Sequence, residues 1–360
     1  METSQFIERI NKYFPGVVIS IVEKLNDTTV PLPYLHKQLL RKDFSVTGKW
    51  ESLSSSKSIV MADVVAMDSE LPLKKRDSMA KATGDIPKMG MELKLNEQQL
   101  TNLYTLIATG GTEQQIAAMI FEDTPKVIMG VHERIESIFL QGLSTGYALV
   151  DTDNAGTGVR IDYGYKTANQ LLPTVTWSTS ATAKPIDDIE TAVQKATVDG
   201  ITLGVIYMDK TAFNNMVKTT QFKEMFAFSQ NFVGGNIPAP SISQAQGVLL
   251  DRFGLTVQIV NRSVRYEKNG TQTTVKPWAD GRVVLAPDGQ IGSLVWARLA
   301  EELSPVAGVA YQKADDYVLV SKFRVNRPSL AEFTTSQARV IPVISGVNSI
   351  YTLDTKTAQS

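Results

Sequence analysis

Hydrophobic residues recur at intervals of three, four and seven along the stretch from Thr112 to Gly146. The recurring positions are Ile116, Ile120, Val127, Val131, Ile135 and Ile138. Thr112 and Gln115 form a capping-box pattern at its start, since each side chain can satisfy a free donor of the first helical turn. The pattern predicts one long helix over 112–146 with a kink at Pro125, because proline lacks the backbone donor of a helix interior.

Short strands and helices are predicted beyond Gly146, where the periodicity changes. The predicted strands are 159–165, 201–208, 255–260, 282–285 and 317–325, and the predicted helices are 185–198, 210–228 and 241–253. Asn269 and Gly270 lie between two alternating stretches, which predicts a hairpin over 264–275 with a type I′ turn. The residues after the last strand are expected to form a polar tail.

The first 95 residues are not expected to form a domain, and residues 45–95 contain too few large apolar side chains to form a core of their own. A short amphipathic stretch, Phe6–Phe14, is followed by three prolines, which suggests an arm that lies over another part of the protein. Residues 45–95 are interpreted as an extended two-stranded excursion that needs a neighbour. Its run of Lys74, Lys75 and Arg76 is the only compact basic cluster, and it is well placed to meet the acidic groups of a neighbour.

Composition narrows the functional classes. The chain has 360 residues, of which 43% are hydrophobic and 20% charged, so more than one packing unit is expected. Its 36 basic and 37 acidic residues give a net charge of −1, which argues against a sequence-independent coat on nucleic acid. The absence of cysteine excludes disulfides and thiolate chemistry. The first apolar run, Val17–Val22, is too short to cross a membrane, so a soluble, non-secreted protein is expected.

The best lead to an enzyme is Gly142–Gly146, which matches the G-x-S-x-G pattern of serine hydrolases around Ser144. That pattern needs a strand before the serine and a histidine after it, whereas here a helix comes first and both histidines precede the serine. His36 and His132 are expected to be solvated or interface residues, and neither has a partner at metal-ligand spacing. We therefore expect no catalytic residue, no metal site and no cofactor.

The remaining candidates for chemistry are pairs of adjacent acids and short glycine-rich stretches. The acidic pairs are Asp187-Asp188, Glu301-Glu302 and Asp315-Asp316, and we interpret them as solvated charge. The glycine-rich stretches are 110–111, 154–158 and 234–235, and none of them has the spacing of a phosphate-binding loop.

Several stretches, taken in order, resemble a known family. They are Arg160–Gly164, Trp177-Ser178, Pro185–Ile189, Gly204–Met208, the helix from Lys210 to Val217, Tyr266–Pro277, Gly281–Pro287, Gly292, Asn326–Pro328 and Ile341–Val343. Their order and spacing over roughly residues 85 to 345 resemble the tailed-phage major capsid proteins of the Hong Kong 97-like fold, in the branch of the lambda-type major head protein E.

The resemblance implies an α+β fold with four parts. They are an N-terminal arm (1–44), an E-loop hairpin (45–95), a P-domain with its spine helix 112–146 (96–173), and an A-domain (174–260). A P-domain hairpin with strands (261–300) and closing strands with a C-terminal tail (301–360) would complete it.

The implied function is a major capsid protein that self-assembles into the icosahedral shell around the double-stranded DNA of a tailed phage. The implied partners are further copies in hexamers and pentamers, scaffolding and portal proteins, and a decoration protein. The packaged DNA would be held without sequence-specific contact, and no membrane is involved. The location would be the virion, after assembly in the host cytoplasm.

Subunit-interface contacts are predicted at Trp50, Lys74, Lys75, Arg76, Gly234, Gly235, Asn269 and Gly270. Three alternatives stay open at this point. The same fold could form an encapsulin-like compartment that stores an enzyme, the chain could be a soluble serine hydrolase using Ser144, or it could be a tail or decoration protein of a virion.

Overall fold

The computed structural model describes residues 3–4, 6–27, 34–54, 80–150, 159–229 and 237–359. The helices are α1 (Ile7–Asn26), α2 (Leu35–Leu39), α3 (Glu97–Ala108), α4 (Glu113–Phe121), α5 (Asp123–Thr145), α6 (Pro185–Val198), α7 (Lys210–Lys218), α8 (Thr220–Ser229), α9 (Ile242–Phe253) and α10 (Ala300–Leu303). No helix within these residues is long and apolar enough to cross a membrane.

Strands of very different length accompany the helices. They are β1 (Leu40–Phe44), β2 (Lys49–Ser54), β3 (Ala80–Asp85), β4 (Lys88–Leu95), β5 (Tyr147–Val150), β6 (Val159–Asp162), β7 (Gln170–Leu171), β8 (Val205–Met208), β9 (Thr256–Ile259), β10 (Val264–Lys268), β11 (Thr271–Val275), β12 (Arg282–Ala286), β13 (Gly292–Ala297), β14 (Ala310–Ala314), β15 (Val318–Val325), β16 (Ala331–Ile344) and β17 (Tyr351–Asp354).

The chain divides into two compact units. Unit 1 comprises Met1–Trp50, Gly84–Glu136 and Ser293–Val343, and unit 2 comprises Glu51–Thr83, Ser137–Gly292 and Ile344–Ser360. Each unit is therefore assembled from segments that are distant in the sequence.

A six-stranded sheet forms the centre of unit 1, with the order β1-β13-β16-β15-β14 and with β4 paired to β16. The strand β16 pairs antiparallel with β15 on one side and with β4 on the other. Helix α1 is part of this unit, and its Phe14 ring stacks on Phe121 of α4 at a centroid distance of 6.1 Å. The predicted arm thus contains a 20-residue helix that continues past Pro15. Its buried side chains are Ile10, Phe14, Val18 and Leu25, and the first three repeat every four residues.

The long helix starts and ends as predicted, but it is interrupted earlier than expected. Helix α4 ends at Phe121 and α5 begins at Asp123, so the break lies at Glu122 and not at Pro125. Proline disrupts the bond to the carbonyl four residues earlier, which is that of Phe121, and it is itself tolerated in the first turn of a helix. The sequence predicts a kink at Pro125, whereas the helix is interrupted about one turn before this proline, at Glu122.

The expected polar tail after residue 325 is wrong. Strand β16 is largely buried although it contains Thr334, Thr335 and Ser336. The Thr335 hydroxyl lies 2.6 Å from that of Ser321, and the Ser336 hydroxyl donates to the Val127 carbonyl at 2.7 Å. Polar side chains can occupy a core strand when each finds such a partner.

Unit 2 contains a five-stranded sheet of order β7-β17-β12-β8-β9, in which β8 and β9 are parallel and β12 is antiparallel to β8 and β17. Helices α6, α7, α8 and α9 contribute to the apolar core built on this sheet. The single helix predicted over 210–228 is divided at Thr219, whose hydroxyl donates to the Met216 carbonyl at 2.7 Å. The predicted hairpin over 264–275 is confirmed as β10 and β11.

Candidate functional site

Three of the predicted interface positions can be located in the structure. Trp50 lies at the start of the excursion, and Asn269 and Gly270 form the tip of the β10–β11 hairpin. Residues 74–76 and 234–235 lie outside the described part of the chain. Their predicted role in subunit contacts is not tested and stays a prediction.

The root of the excursion is held by an indole and a guanidinium. Trp50 is only 4% exposed. A Cβ atom at Gly84 would lie 2.7 Å from Nε1 of Trp50, so the indole ring covers strand β3 at a point where only glycine fits. Arg339 of β16 donates to the carbonyls of Gly48 and Ile86, each at 3.2 Å. Trp50 therefore holds strands β2 and β3 together inside its own subunit, and its predicted role in a subunit contact stays a prediction.

The tip of the β10–β11 hairpin has the geometry that its sequence predicts. Asn269 and Gly270 both have positive φ, at 53° and 76°, which is the backbone of a type I′ turn. Arg265 and Glu267 are exposed on one strand, and all residues from Thr271 to Thr274 are exposed on the other. The tip of the hairpin and most of strand β11 are therefore polar and exposed, and the predicted role of Asn269 and Gly270 in subunit contacts stays a prediction.

A buried cluster of charged side chains was not anticipated from the sequence. Glu136 of α5 accepts the backbone N–H groups of Leu35 and His36 at 2.9 and 3.0 Å, and its Oε2 atom lies 2.6 Å from Nδ1 of His36. One carboxylate thus satisfies the first turn of α2. The His36 ring stacks on His132 of α5 at a centroid distance of 5.8 Å.

The other half of the cluster is the turn between β14 and β15. Asp315 accepts from Nζ of Lys37 at 2.5 Å and from Nζ of Lys42 at 2.6 Å. Asp315 and Asp316 both have positive φ, which is unfavourable for residues other than glycine, asparagine and aspartate. The two lysines bind this turn to residues 37–42, near the end of the predicted arm.

Burial and neighbouring charge shift the protonation equilibria of the cluster. Burial lowers the pKa of His36, although the hydrogen bond to Glu136 opposes the shift. Burial also lowers the pKa of His132, and Lys37 lowers it further. Burial alone would raise the pKa of Asp315, but Lys37 and Lys42 outweigh it and hold that pKa below its usual value. At neutral pH the cluster therefore combines neutral imidazoles with paired charges.

The expectations for these residues are corrected by the structure. His36 and His132 are both fully buried, so neither is solvated, and Asp315 is buried as well. The signal that could have located His132 is its spacing of four from Ile128 and Glu136, because such residues share one face of a helix. The cluster joins residues 34–42 to α5 and to the β14–β15 turn, and its contacts are structural.

Ser144 lies in the last turn of α5 and is buried. Its hydroxyl donates to the Leu140 carbonyl at 2.9 Å and accepts the N–H of Ala279 at 3.1 Å. Gly142 is needed beside it, since a Cβ atom there would lie 2.3 Å from Cε2 of Tyr163. These contacts are typical of a helix end packed against a neighbouring segment, not of an exposed nucleophile on a strand-to-helix turn.

Comparison with solved structures shows the class of fold. The crystal structure of a prophage capsid protein from E. coli CFT073 matches with a TM-score of 0.58 at 13% identity, covering 94% of this chain and 98% of the other. That of a phage-related protein from Bordetella bronchiseptica RB50 matches with a TM-score of 0.55 at 11% identity, covering 95% and 96%. The fold is thus the α+β fold of Hong Kong 97-like phage capsid proteins, as the resemblance implied.

The family follows from the sequence itself. The model of the family described as phage major capsid protein E matches residues 20–353, which is nearly the whole chain. No curated protein sequence matches. The chain belongs to the phage major capsid protein E family, and copies of it form the capsid shell of a phage. Its place is the virion, and this family membership favours the capsid function over the compartment, hydrolase and tail-protein alternatives.

Proposed function

We propose that copies of this chain join in rings of five and six and close into an icosahedral shell around double-stranded DNA. The observation that carries the proposal is the rooted excursion. Its strands β2 and β3 pair with each other, and no third strand of the described chain pairs with them. Their outer edges are therefore available to neighbouring copies, while Arg339 fixes the root in its own subunit.

Partners other than the chain itself belong to the same proposal. A shell of this kind takes up DNA through a portal and forms around a scaffolding protein, and a decoration protein can cover its outer surface. We place assembly in the host cytoplasm. The near-neutral charge of −1 supports a wall that encloses DNA without gripping particular sequences, because strong DNA binding would need an excess of lysine and arginine.

We also propose that the subunit has no catalytic activity. Ser144 supports this, since its hydroxyl is buried and engaged with the backbone at Leu140 and Ala279. A serine-reactive fluorophosphonate should leave the native protein unlabelled. Labelling that disappears in Ser144→Ala would contradict the proposal.

The assembly proposal is tested with the basic run of the excursion. Reversing Lys74, Lys75 and Arg76 together to Glu should reduce particle yield in gradient centrifugation, because charge pairs at interfaces set register and association rate. The circular dichroism of the isolated subunit should stay unchanged. Replacement of the same three residues by Gln is the matched control, since it removes charge without introducing repulsion, and it should reduce the yield less.

Two outcomes would contradict these proposals in different ways. Normal yield of the triple Glu variant would show that these residues do not contact a neighbour, while leaving the shell function intact. A stable monomer of the unsubstituted chain at every concentration and salt tested, with no rings or closed particles in electron microscopy even with a scaffolding protein present, would contradict the shell function itself.

A further inference from the structure

The β10–β11 hairpin is not part of the five-stranded or the six-stranded sheet. Within the described residues it is a sheet of two strands, and no other strand pairs with either of its edges. Every residue from Thr271 to Thr274 on β11 is exposed. Two-stranded hairpins are marginally stable in water, and three or more strands are normally needed. The hairpin is therefore a candidate for completion by another chain.

The register shows which backbone groups are available at the outer edge of β11. Lys268 and Thr271 are opposite each other next to the two-residue turn, and the closing pair of such a turn is hydrogen-bonded. Because hydrogen-bonded and non-hydrogen-bonded pairs alternate, Thr273 and Val275 also bond to β10. Gln272 and Thr274 are therefore the residues whose N–H and C=O groups point away from the hairpin.

The chemistry of this edge favours pairing. Natural sheets protect free edges with lysine, proline or bulges, and an unprotected edge is a template for another strand. The stretch Thr271–Val275 contains no charge and no proline, and four of its five residues are β-branched, which favours the extended conformation. The outer edge of β11 thus has the properties of an interface strand.

We propose that β11 pairs antiparallel with β11 of a second copy, centred on Thr273, so that two hairpins form one four-stranded sheet across a two-fold contact in the shell. This register places Gln272 opposite Thr274 of the partner subunit, so both residues with free backbone groups find one another. It places Thr273 opposite Thr273 of the partner subunit, a favourable cross-strand pair. The contact rests on the shell function of the preceding section.

A second copy is the occupant because the edge is complementary to itself. An interface of this type is isologous, since the same residues contribute from both sides. At the end of the register Lys276 lies opposite Gly270 of the partner subunit, so no like charges face each other. Pairing of β11 with an unrelated strand would not ensure that like charges stay apart.

A single cysteine tests the register directly, because the chain contains none. In this pairing the two copies of residue 273 form a non-hydrogen-bonded pair with Cα atoms about 4.5 Å apart. Disulfides span Cα distances of about 4.4–6.8 Å. Assembled particles of Thr273→Cys, treated with copper phenanthroline, should give disulfide-linked dimers on a non-reducing gel, whereas dissociated subunits should not.

The matched control is Thr271→Cys, on the same strand and the same face. In the proposed register its counterpart lies four residues along the partner strand, about 14 Å away at about 3.4 Å per residue. This variant should give few dimers. Assembled particles of Thr273→Cys without dimers would overturn the proposed pairing while leaving the shell function standing, and equal dimer formation by both variants would overturn the register.

A second pair of variants decides the question by a different measurement. Thr274→Pro removes an outward-pointing N–H and keeps the hydrogen bonds within the hairpin, whereas Thr274→Ala keeps the N–H. The proline variant should lower particle yield at least severalfold with an unchanged circular dichroism spectrum of the subunit, and the alanine variant should assemble normally. Equal yields of the two variants would overturn the pairing even if the cysteine variants failed to assemble.

Discussion

The two units of this capsid protein are stabilised in different ways. Unit 2 has a large apolar core formed by side chains such as Trp177, Phe222 and Tyr351, gathered between the sheet and helices α6 to α9. Unit 1 also has an apolar core, but several of its distant segments are joined by buried charges, among them Glu136, Asp315 and Lys322.

This difference has consequences for stability. Apolar burial contributes in proportion to area and is spread over many residues, so it depends little on pH and loses only a share with each substitution. A buried charge depends on its partner, and removal of one partner leaves the other without compensation. Unit 1 should therefore be the more sensitive of the two to single polar substitutions and to acid.

The largest effect is expected for Glu136→Ala. This change removes the acceptor of two backbone N–H groups at the start of α2 and of the His36 ring. Each buried donor left without an acceptor costs about 1–3 kcal/mol, so the three groups together should cost roughly 3–5 kcal/mol. Urea unfolding of the purified subunit should show this loss.

The control for that substitution is Glu133→Ala, on the same helix and nearer to solvent. Its carboxylate accepts from the Tyr34 hydroxyl at 3.0 Å, in a partly buried contact. This variant should lose about 1 kcal/mol. A Glu136→Ala protein as stable as the control would show that the cluster is not what joins residues 34–42 to α5.

Unit 2 and the long helix were predictable from sequence because their signals are local. The capping residues of α4, the helix of Pro185–Val198 and the turn at Asn269-Gly270 each depend on neighbours within four residues. Strand β16 was missed because its threonines and serine resemble a tail until their partners on β15 and α5 are known. Helix α3 was missed too, although Asn96 and Gln99 form a capping box at its start.

The candidate site shows the same limit. The turn of the hairpin follows from two residues, whereas the charged cluster needs residues 36, 132, 136 and 315 to meet. A helical period places His132 and Glu136 on one face, but only the fold shows that this face is buried against α2. Long-range pairing of polar groups leaves no periodic signal in a single sequence.

The second prediction concerns Lys322, which is buried, and that burial lowers its pKa to about 8. Its Nζ atom donates to the Ile120 carbonyl at 2.8 Å, close to the break between α4 and α5, and to Thr334 at 2.6 Å. Lys322→Met keeps the volume but leaves the carbonyl without a donor, which should cost about 1–3 kcal/mol in urea unfolding. An equally stable variant would show that the break does not need this cap.

The third prediction is a loss of stability in acid that depends on His132. Its pKa is lowered by burial, so the folded state takes up fewer protons than the unfolded state once the pH falls below 6.5. Stability should be unaffected above that pH and should fall by about 1–2 kcal/mol between pH 6.5 and 5.

The test is thermal unfolding as a function of pH in the original protein and in His132→Gln. The variant should be less stable at neutral pH, because a buried ring is lost, but its decline between pH 6.5 and 5 should be shallower. His36 has a lowered pKa too, so part of the decline between pH 6.5 and 5 should persist. The lowered pKa of Asp315 adds a further loss only at about pH 4 and below, where the unfolded carboxyl takes up a proton. Identical slopes in the two proteins would show that His132 takes no part in it.

The smallest effect is expected at Ser144, in unit 2, where polar contacts supplement an apolar core. Ser144→Ala leaves the Ala279 N–H without its acceptor, which should cost about 1 kcal/mol in urea unfolding and leave particle assembly intact.

The matched control is Thr197→Ala. The Thr197 hydroxyl donates to the carbonyl four residues earlier, as that of Ser144 does, at 2.9 Å and on an exposed helical face. Because the Thr197 hydroxyl accepts no distant N–H from the described part of the chain, the free energy lost in this variant should be smaller. If both variants lose the same free energy, the link from Ser144 to Ala279 contributes nothing beyond a local helix bond. If Ser144→Ala instead loses as much as Glu136→Ala, then single polar contacts matter as much in unit 2 as in unit 1, and the contrast between the two units does not hold.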